Sequence, residues 1–283
     1  MIQEGSETTQ QKRGEKNRAD RAISEAIGFI IIFGIIIAGI GLVTMYGYPM
    51  LLTQQSTSNE QIMEKNMIVL QNDLKSIAYK TVPYTETSLK VDGGALTVYN
   101  MTYNNATESN FAVYDDNGII AFPTNPLLYP TGDLRYESIS AQTGLSLENG
   151  AVVKRMLAES GSTMLAEPRW YYDSQTNTAV IYLIGFTTPS ADVLSQEGVG
   201  TVKMNLNSNL TNYEAYTLPA GDTLYVRYLP NNNADYSTAW GNYFTGTLNL
   251  EPTGATGEYK WPLNSAQAAE VVIYQYQVAI ESI

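Results

Sequence analysis

Residues 26–43 have the sequence AIGFIIIFGIIIAGIGLV, and no charged side chain occurs anywhere in 26–59. At about 1.5 Å of rise per residue, a helix over 27–45 is about 28 Å long, close to the hydrocarbon thickness of a bilayer. The stretch is too long and too apolar for the core helix of a soluble domain of this size. The stretch therefore predicts a single membrane-spanning helix near the N-terminus.

The charges on either side of this stretch predict its orientation. Five Lys and Arg side chains lie between Lys12 and Arg21, whereas the first charge after the stretch is Glu60. Basic residues are retained on the cytoplasmic side of a membrane. We therefore expect a single-pass protein of the cell membrane, with a cytoplasmic N-terminus and an extracellular C-terminal domain.

The composition limits the chemistry of that domain. The chain has no cysteine and no histidine, and its formal charge of −12 belongs to residues 60–283, because 1–59 holds five charges of each sign. An acidic domain does not neutralise phosphates, so nucleic acid is not an expected partner. Thiol chemistry and histidine-based triads are excluded, and zinc loses its preferred ligands. The sequence indicates no catalytic residue, metal site or cofactor, and we expect a protein that is not an enzyme.

The residues before the apolar stretch carry a family resemblance. The sequence from Arg21 to Gly28, RAISEAIG, resembles the processing site of archaeal type IV pilin-like proteins, archaellins included, which have a class III signal peptide. The resemblance implies that a prepilin-type peptidase cuts between Ala22 and Ile23. The mature chain would then begin with its membrane helix.

Glu25 stands where many archaeal pilins have proline. Bacterial pilins keep a glutamate near the new N-terminus, which implies that the Glu25 carboxylate pairs with the α-amine of a neighbouring subunit in an apolar filament core. Glu25 is third in the expected mature chain rather than fifth as in bacteria. The alternative is that Glu25 only marks the cytoplasmic interface of an uncut signal anchor.

Small residues recur within the apolar stretch. Gly34, Ala38 and Gly41 follow at spacings of four and three, which places them on one helical face where a second helix can approach closely in lipid. Glycine is also frequent in membrane helices that pack against nothing. Pro49 follows the stretch, and we expect a kink or break of the helix there.

An amphipathic pattern follows the membrane stretch. Met63, Met67, Leu70, Leu74 and Ile77 recur at helical spacing, which predicts a stalk helix docked on the rest of the protein. We therefore expect three parts. Residues 1–22 form a cytoplasmic leader peptide, 23–82 a membrane helix that continues into the stalk helix with a break near Pro49, and 83–283 an extracellular β-rich head domain.

The head shows period-two patterning between turn residues. We expect strands at 88–92, 95–103, 111–115, 118–122, 144–148, 151–157, 169–173, 178–186, 200–207, 214–218, 222–229, 242–250 and 269–283. Hairpin turns are predicted at 115–118 and 148–150, and 91–94 is interpreted as an ordinary turn. The predicted fold class is α+β, a long N-terminal helix followed by a mainly antiparallel, sandwich-like β domain.

Two further features bear on an extracellular domain. Asn100, Asn105 and Asn209 begin Asn-x-Ser/Thr sequences and are candidate glycosylation sites of a glycoprotein. The 21 tyrosines suggest a surface that binds sugars, or else simply the frequent use of tyrosine in strands.

These observations lead to two hypotheses about function. In the first, the chain is a structural cell-surface protein, a pilin-like subunit whose N-terminal helix anchors it in the membrane and assembles into a filament core. Its partners would be the membrane, a prepilin-type peptidase, and copies of itself or other pilin-like subunits. In the second, it is a non-polymerising single-pass protein that carries an extracellular binding domain.

Overall fold

A computed structural model describes residues 24–80, 82–101, 109–118, 128–189, 193–207, 212–231 and 234–283. The chain divides into two compact units, Met1–Gln55 and Ser56–Ile283. A long helix, α1, runs from Ser24 to Lys80 and therefore contributes to both units. We refer to residues 24–55 of α1 as the span segment, to residues 56–80 as the stalk segment, and to the unit Ser56–Ile283 as the head.

Helix α1 continues through Pro49, so the structure contradicts a break there, while the alternative, a kink, stays a prediction. Its last stretch, Tyr48–Lys80, is α-helical and begins before the proline, while Val43–Gly47 immediately upstream is π-helical. Pro49 has no N–H, and its ring collides with the carbonyl group four residues earlier. The π-helical turn before Pro49 is wider than an α-helical turn, because the Tyr48 N–H donates to the Val43 carbonyl oxygen, five residues back. The wider turn accommodates the proline.

The head contains fifteen strands among its described residues. They are β1 (Tyr84–Tyr99), β2 (Asn110–Tyr114), β3 (Tyr129–Pro130), β4 (Asp133–Ser138), β5 (Thr143–Glu148), β6 (Ala151–Met156), β7 (Ser162–Ala166), β8 (Tyr171–Asp173), β9 (Thr178–Thr187), β10 (Leu194–Leu206), β11 (Asn212–Leu218), β12 (Tyr225–Leu229), β13 (Glu251–Pro252), β14 (Glu258–Lys260) and β15 (Ala269–Ser282). A short helix, α2 (Ser237–Asn242), continues into a π-helical turn, Tyr243–Thr247.

The strands form two sheets. The larger sheet has the order β7-β6-β5-β4-β1-β10-β15-β9-β8, with β11 also paired to β15, and the smaller one has the order β13-β14-β12-β2-β3. Every pairing among the described strands is antiparallel except that of β9 with β15. The α+β class, with a mostly antiparallel β domain after one long apolar helix, is confirmed.

The larger sheet has a hydrophobic core on each face. On one face, the stalk segment packs over side chains such as Leu96, Leu145 and Val202. On the other face, the smaller sheet and the aromatic side chains of α2 and its π-helical turn cover residues such as Val153 and Ile181. Alternation along each strand produces the two cores, because successive side chains point to opposite faces.

The hairpin predicted at 148–150 is confirmed. Strands β5 and β6 are joined by Asn149 and Gly150 alone, which have φ of 47° and 76°. Positive φ at both positions is the geometry of a type I′ turn, and Asn-Gly is its preferred sequence. At 115–118 a turn forms, in which the Gly118 N–H donates to the Asp115 carbonyl oxygen at 2.9 Å. The second arm expected there, residues 119–122, lies outside the described residues.

Two sequence predictions for the head are wrong. Residues 242–250 do not form a strand, because Trp240, Tyr243 and Phe244 recur at helical spacing and are all buried on one side of α2 and its π-helical turn. The turn at 91–94 is instead a bulge within the single strand β1, where the register shifts between Val91 and Leu96. A Cβ on Gly94 would lie 2.3 Å from the Glu137 carbonyl oxygen, which is why a glycine is required there.

Candidate membrane anchor and helix-packing site

The span segment exposes its apolar side chains all round. No residue from 24 to 55 is buried, and the exposed fraction of its large apolar side chains ranges from 48% for Leu52 to 73% for Met50. Its most apolar 18-residue window has a mean hydropathy of 2.9. By length and composition this helix is able to cross a bilayer, as a single-pass anchor or a signal sequence would.

The small residues of the span segment lie in open space. A Cβ added to Gly34, Gly39 or Gly41 would meet no described atom within 4 Å, outside the local helix. Gly34, Ala38 and Gly41 share one helical face by their spacing, and Gly39 lies about 140° from Gly34 around the axis. The surface that the sequence predicts for helix packing is therefore unobstructed by the described part of the chain.

The predicted processing site falls mostly outside the structure. Ala22 and Ile23 lie outside the described residues, so cleavage between them stays a prediction. Glu25 is in the first turn of α1 and is exposed to solvent. Its predicted pairing with a neighbouring α-amine also stays a prediction.

The docking of the stalk segment is confirmed. Its five predicted contact residues are all completely buried: Met63, Met67, Leu70, Leu74 and Ile77. They belong to one cluster with the strand residues of the larger sheet. Burial of a leucine or methionine side chain stabilises a fold by roughly 1.5–3 kcal/mol, so this stripe holds the helix to the head.

Polar contacts add specificity to that docking. The buried Gln71 side chain donates through Nε2 to the Gly150 carbonyl oxygen at 2.7 Å and to the Glu167 carbonyl oxygen at 2.9 Å. Lys75 Nζ donates to the same Glu167 oxygen at 3.3 Å, and burial lowers the pKa of Lys75. These bonds fix the position of the stalk segment along its own axis relative to the β5–β6 turn and to the chain after β7.

A charged contact holds the start of the stalk segment. Lys154 Nζ lies 2.6 Å from Glu60 Oε1 and 2.7 Å from Glu64 Oε1. Burial works against the ammonium group, but the hydrogen bonds to the two carboxylates outweigh it and raise the pKa of Lys154. Glu60 also accepts a hydrogen bond from Thr143 Oγ1 at 3.0 Å.

A second polar group is buried on the opposite face of the larger sheet. Arg135 donates to both carboxylate oxygens of Asp133, at 2.8 and 3.1 Å, and Ser146 Oγ donates to Asp133 at 2.7 Å. Glu148 is completely buried and accepts a hydrogen bond from Trp240 Nε1 at 2.7 Å. Burial, with the nearby negative charge of Asp133, raises the pKa of Glu148 to about 7 against the opposing effect of the Trp240 bond.

This buried group is structural in character. Asp133, Arg135 and Glu148 are each at most 2% exposed, so no substrate reaches their carboxylates or guanidinium. In the described part of the chain, no three acidic side chains come together in a way that would hold a metal ion. The arrangement joins β4, β5 and α2 across the core on the face of the larger sheet opposite the stalk segment, which we call the second core.

Sequence reasoning missed these contacts, although part of the signal was present. Glu60 and Glu64 are four residues apart on the stripe's flank, a spacing that aims both carboxylates at one partner. Asp133 and Arg135 alternate with the apolar Leu134 and Tyr136, a pattern that indicates a strand with one polar face, although β4 is buried on both faces. The partners Lys154 and Trp240 are distant in sequence and are brought there only by the fold.

The candidate glycosylation sites have different outcomes. Asn100 is 6% exposed, and its Nδ2 donates to Thr188 Oγ1 at 3.0 Å. A glycan needs that nitrogen at the surface, so the folded head does not present Asn100 for glycosylation, and this prediction is corrected. Asn105 and Asn209 lie outside the described residues.

Tyrosines form a row across the larger sheet. Tyr182, Tyr274 and Tyr213 are opposite one another on β9, β15 and β11, with ring centroids 4.8 and 5.1 Å apart. Tyr182 is 7% exposed, whereas Tyr213 at the end of the row is 56% exposed. Tyr79, near the end of the stalk segment, packs edge-on against Tyr182 at 5.0 Å. Most of this row is therefore packing, with one ring open to solvent.

The architecture defines a class of protein with one exposed apolar N-terminal helix and an acidic β domain that the same helix enters. Residues 21–281 match the family of unknown function DUF7289, and the chain belongs to that family. An uncharacterized protein of Archaeoglobus fulgidus is 23% identical over 256 residues, which cover 79% of this chain and 83% of that protein. No solved structure matches the chain.

Proposed function

We propose that this protein is a structural cell-surface protein of an archaeon, a pilin-like subunit with a cleaved class III signal peptide. The span segment anchors it in the membrane with the N-terminus cytoplasmic and the head outside. In assembled form, the span segments of several copies bundle into a filament core and the heads cover the outside. The prepilin-type peptidase, the membrane, and copies of the chain or other pilin-like subunits are its partners.

The observation that carries this proposal is the change of surroundings along α1. Large apolar side chains from Ile27 to Leu52 are all about half exposed or more, whereas the stripe from Met63 to Ile77 is completely buried in the head. Exposed apolar surface on this scale is unfavourable in water and is covered by lipid or by other apolar helices. The open face of Gly34, Ala38 and Gly41 supports helix packing as one form of that cover.

A glycoprotein surface is part of the proposal, with Asn105 and Asn209 as the acceptor residues. The formal charge of −12 resides in residues 60–283, which belong to the head. That charge keeps neighbouring heads soluble when they are crowded around a filament.

The second candidate is a membrane-anchored binding domain that does not polymerise. The solvent-exposed ring of Tyr213 at the end of the tyrosine row favours it, because an aromatic ring can stack on a sugar. The two candidates share the membrane anchor and differ in whether the span segment packs against other copies.

The processing step is tested by the N-terminus of the mature protein. Mass spectrometry of protein taken from the cell surface should find Ile23 as the first residue. The same protein isolated from cells that lack the peptidase should retain the leader. Recovery of the leader on surface protein from normal cells would exclude pilin-type processing.

The assembly step is tested by a matched pair of substitutions in the span segment. Gly34→Leu places a large side chain on the face of Ala38 and Gly41, and Gly39→Leu places the same side chain elsewhere on the helix. Both variants should insert into the membrane, since leucine is at least as apolar as glycine. We expect cross-linked oligomers or filaments to disappear in Gly34→Leu and persist in Gly39→Leu. If wild type and both variants are equally monomeric, the binding-domain candidate replaces the pilin-like one.

A further inference from the structure

The first half of β1, residues 84–91, is an open edge of the larger sheet. On one side these residues pair with β10, whereas on the other side β4 pairs only with residues 95–99. None of the described strands continues β4 along residues 84–91, and their main-chain groups on that side bond to no other described main-chain group. The edge therefore presents a row of unpaired N–H and C=O groups.

The stalk segment holds this edge in a fixed, straight conformation. Leu89 and Val91 are buried in the cluster that contains the stalk residues, and Thr87 Oγ1 donates a hydrogen bond to the Asp73 carboxylate of the stalk segment. No proline or bulge interrupts residues 84–91. An ordered edge of this kind is a template on which a further strand can pair.

The face of the edge that points away from the stalk segment carries two opposite charges. Glu86, Ser88 and Lys90 are exposed and alternate with the side chains that face the stalk segment. Glu86 and Lys90 each lie two residues from Ser88. Charges on an edge strand usually oppose pairing. Opposite charges at equal distances from a central residue, however, complement a second copy of the same edge.

The positions of the charges select one register. In an antiparallel pair of two β1 edges centred on Ser88, Glu86 of each copy lies opposite Lys90 of the other, and Thr87 lies opposite Leu89. Both ion pairs are lost when the centre moves to Thr87 or to Leu89. A register that keeps the same faces together shifts in such whole-residue steps of the centre, so the charges favour Ser88 over its neighbours.

Both charged side chains are available for this contact. Glu86 lies opposite Lys203 of β10, but Lys203 Nζ is 2.7 Å from Glu281 Oε2, and Glu86 forms no ion pair with a described residue. Lys90 Nζ lies 2.5 Å from Asp92 Oδ2, with side chains that are 66% and 38% exposed. An exposed ion pair of this kind is weak, so Lys90 can exchange it for another carboxylate.

We propose that two copies of this chain pair through the first halves of their β1 strands, antiparallel and centred on Ser88, so that the two larger sheets become one. The two-fold axis is perpendicular to the sheet, so the two stalk segments lie on the same face and run in opposite directions. Neighbouring copies in a bundle of parallel α1 helices run in the same direction, so this pair is a separate assembly. It closes at two copies and does not rest on the proposed packing of the span segments.

The absence of native cysteine makes a direct test possible. Ser88→Cys places two thiols opposite each other, with Cα atoms about 4.5–5.5 Å apart, which a disulfide can join. Thr201→Cys is the matched control, because Thr201 is opposite Ser88 within one copy and each substitution removes the same 3.0 Å hydrogen bond between the two hydroxyls. The two Thr201 positions of a pair are three strand spacings apart, about 14 Å.

The cross-linking experiment uses the full chain in detergent under mild oxidation. Both cysteine variants also carry Gly34→Leu, so that packing of the span segments does not contribute. We expect a disulfide-linked dimer from Ser88→Cys in at least about tenfold higher yield than from Thr201→Cys. Equal yields would overturn the β1 pair and leave the proposed packing of the span segments untouched.

The register is tested by reversing one charge at a time in the Ser88→Cys protein. Glu86→Lys sets two lysines against each other twice in the pair, and Lys90→Glu does the same with two glutamates. Each variant should lose about tenfold of the dimer, because like charges replace opposite ones. Both should keep the urea midpoint of the parent protein, since both positions are exposed.

A mixture of the two charge variants restores both ion pairs in the mixed dimer. With a mass tag on one variant, cross-linking should recover between unlike copies and stay low between like copies. Recovery also shows that both variants are folded. A dimer yield that neither charge reversal changes, or a mixture that recovers no mixed dimer, would overturn the pairing centred on Ser88.

Discussion

The span segment and the stalk segment belong to one helix but have different relationships to the rest of the chain. In the span segment, apolar residues occupy every side of the helix and none is buried. In the stalk segment, apolar residues form a narrow stripe whose members Met63, Met67, Leu70, Leu74 and Ile77 are completely buried. An all-round apolar surface calls for an apolar solvent, whereas a stripe needs a single apolar partner surface. The distribution of apolar residues, rather than helix formation itself, separates anchor from stalk.

The same difference means that, of the two segments, the stalk segment is the one that stabilises the head. The stalk segment contributes its stripe to the core of the head and fixes its position with the Gln71 bonds to the carbonyl oxygens of Gly150 and Glu167. The span segment makes no such contribution, since its described side chains stay exposed. Substitutions of equal kind in the two segments should therefore have unequal effects on the stability of the head.

The largest effect is expected from loss of a buried stripe residue. Leu70→Ala should lower the free energy of unfolding of the head by about 2–5 kcal/mol, through lost burial and the cavity left behind. Val69→Ala is the matched control, because Val69 is the neighbouring residue and is 48% exposed. Its effect should stay within about 0.5 kcal/mol. Urea unfolding of the detergent-solubilised full chain, followed by tryptophan fluorescence, measures both, and equal effects would contradict the docking of the stalk segment.

The stripe was predictable from the sequence because its period is local. Met63 and its successors repeat at intervals of three and four, and no knowledge of the partner is needed to expect a buried face. The Asn149-Gly150 turn was predictable for a similar reason, since two adjacent residues determine the turn type. The apolar stretch at 26–43 needed only its length and composition.

Other features depend on partners that are distant along the chain. Residues 242–250 have the apolar and aromatic composition of a strand, but packing of Trp240 and Phe244 into the second core favours a helical turn. Strand β4 was not predicted because Asp133 and Arg135 look like surface residues until their mutual bond and Ser146 are known. A break at Pro49 was expected from the proline alone, whereas the helix continues through Pro49 because a π-helical turn upstream accommodates the proline.

A smaller, pH-dependent effect tests whether the stalk segment unfolds together with the far side of the sheet. The pKa of Glu148 is raised from 4.5 to about 7 in the fold. Because the pKa of Glu148 is higher in the folded than in the unfolded state, its favourable contribution to the free energy of unfolding is fully present below about pH 4.5. This contribution is lost as the pH rises to about 7. The loss amounts to at most about 3 kcal/mol. Glu148→Gln keeps an acceptor for Trp240 and should remove this dependence.

The measurement uses two probes on one protein. Tryptophan fluorescence reports the second core, where Trp170, Trp240 and Trp261 lie, and a fluorophore at Lys65→Cys reports the stalk segment. In protein that keeps Glu148, both probes should show the same loss of stability between about pH 4.5 and pH 7. In the Glu148→Gln variant, neither probe should show this loss. If only the tryptophans respond, the stalk segment detaches independently and is not part of the folded unit.

The smallest effect is expected where the same kind of substitution meets open space. Gly34→Leu enlarges a side chain at a position where an added Cβ meets no described atom within 4 Å, outside the local helix. It should leave the unfolding free energy of the head unchanged within about 0.5 kcal/mol. Ala78→Leu enlarges a side chain that is 6% exposed in the stalk segment and should cost about 1–3 kcal/mol through overpacking. Urea unfolding in detergent measures both variants under the conditions used for Leu70→Ala.

If Gly34→Leu leaves the unfolding free energy of the head unchanged, any loss of oligomers in that variant comes from the helix face itself. A loss of head stability in Gly34→Leu equal to that in Ala78→Leu would show that the two segments fold as one, and the division between anchor and stalk would fail.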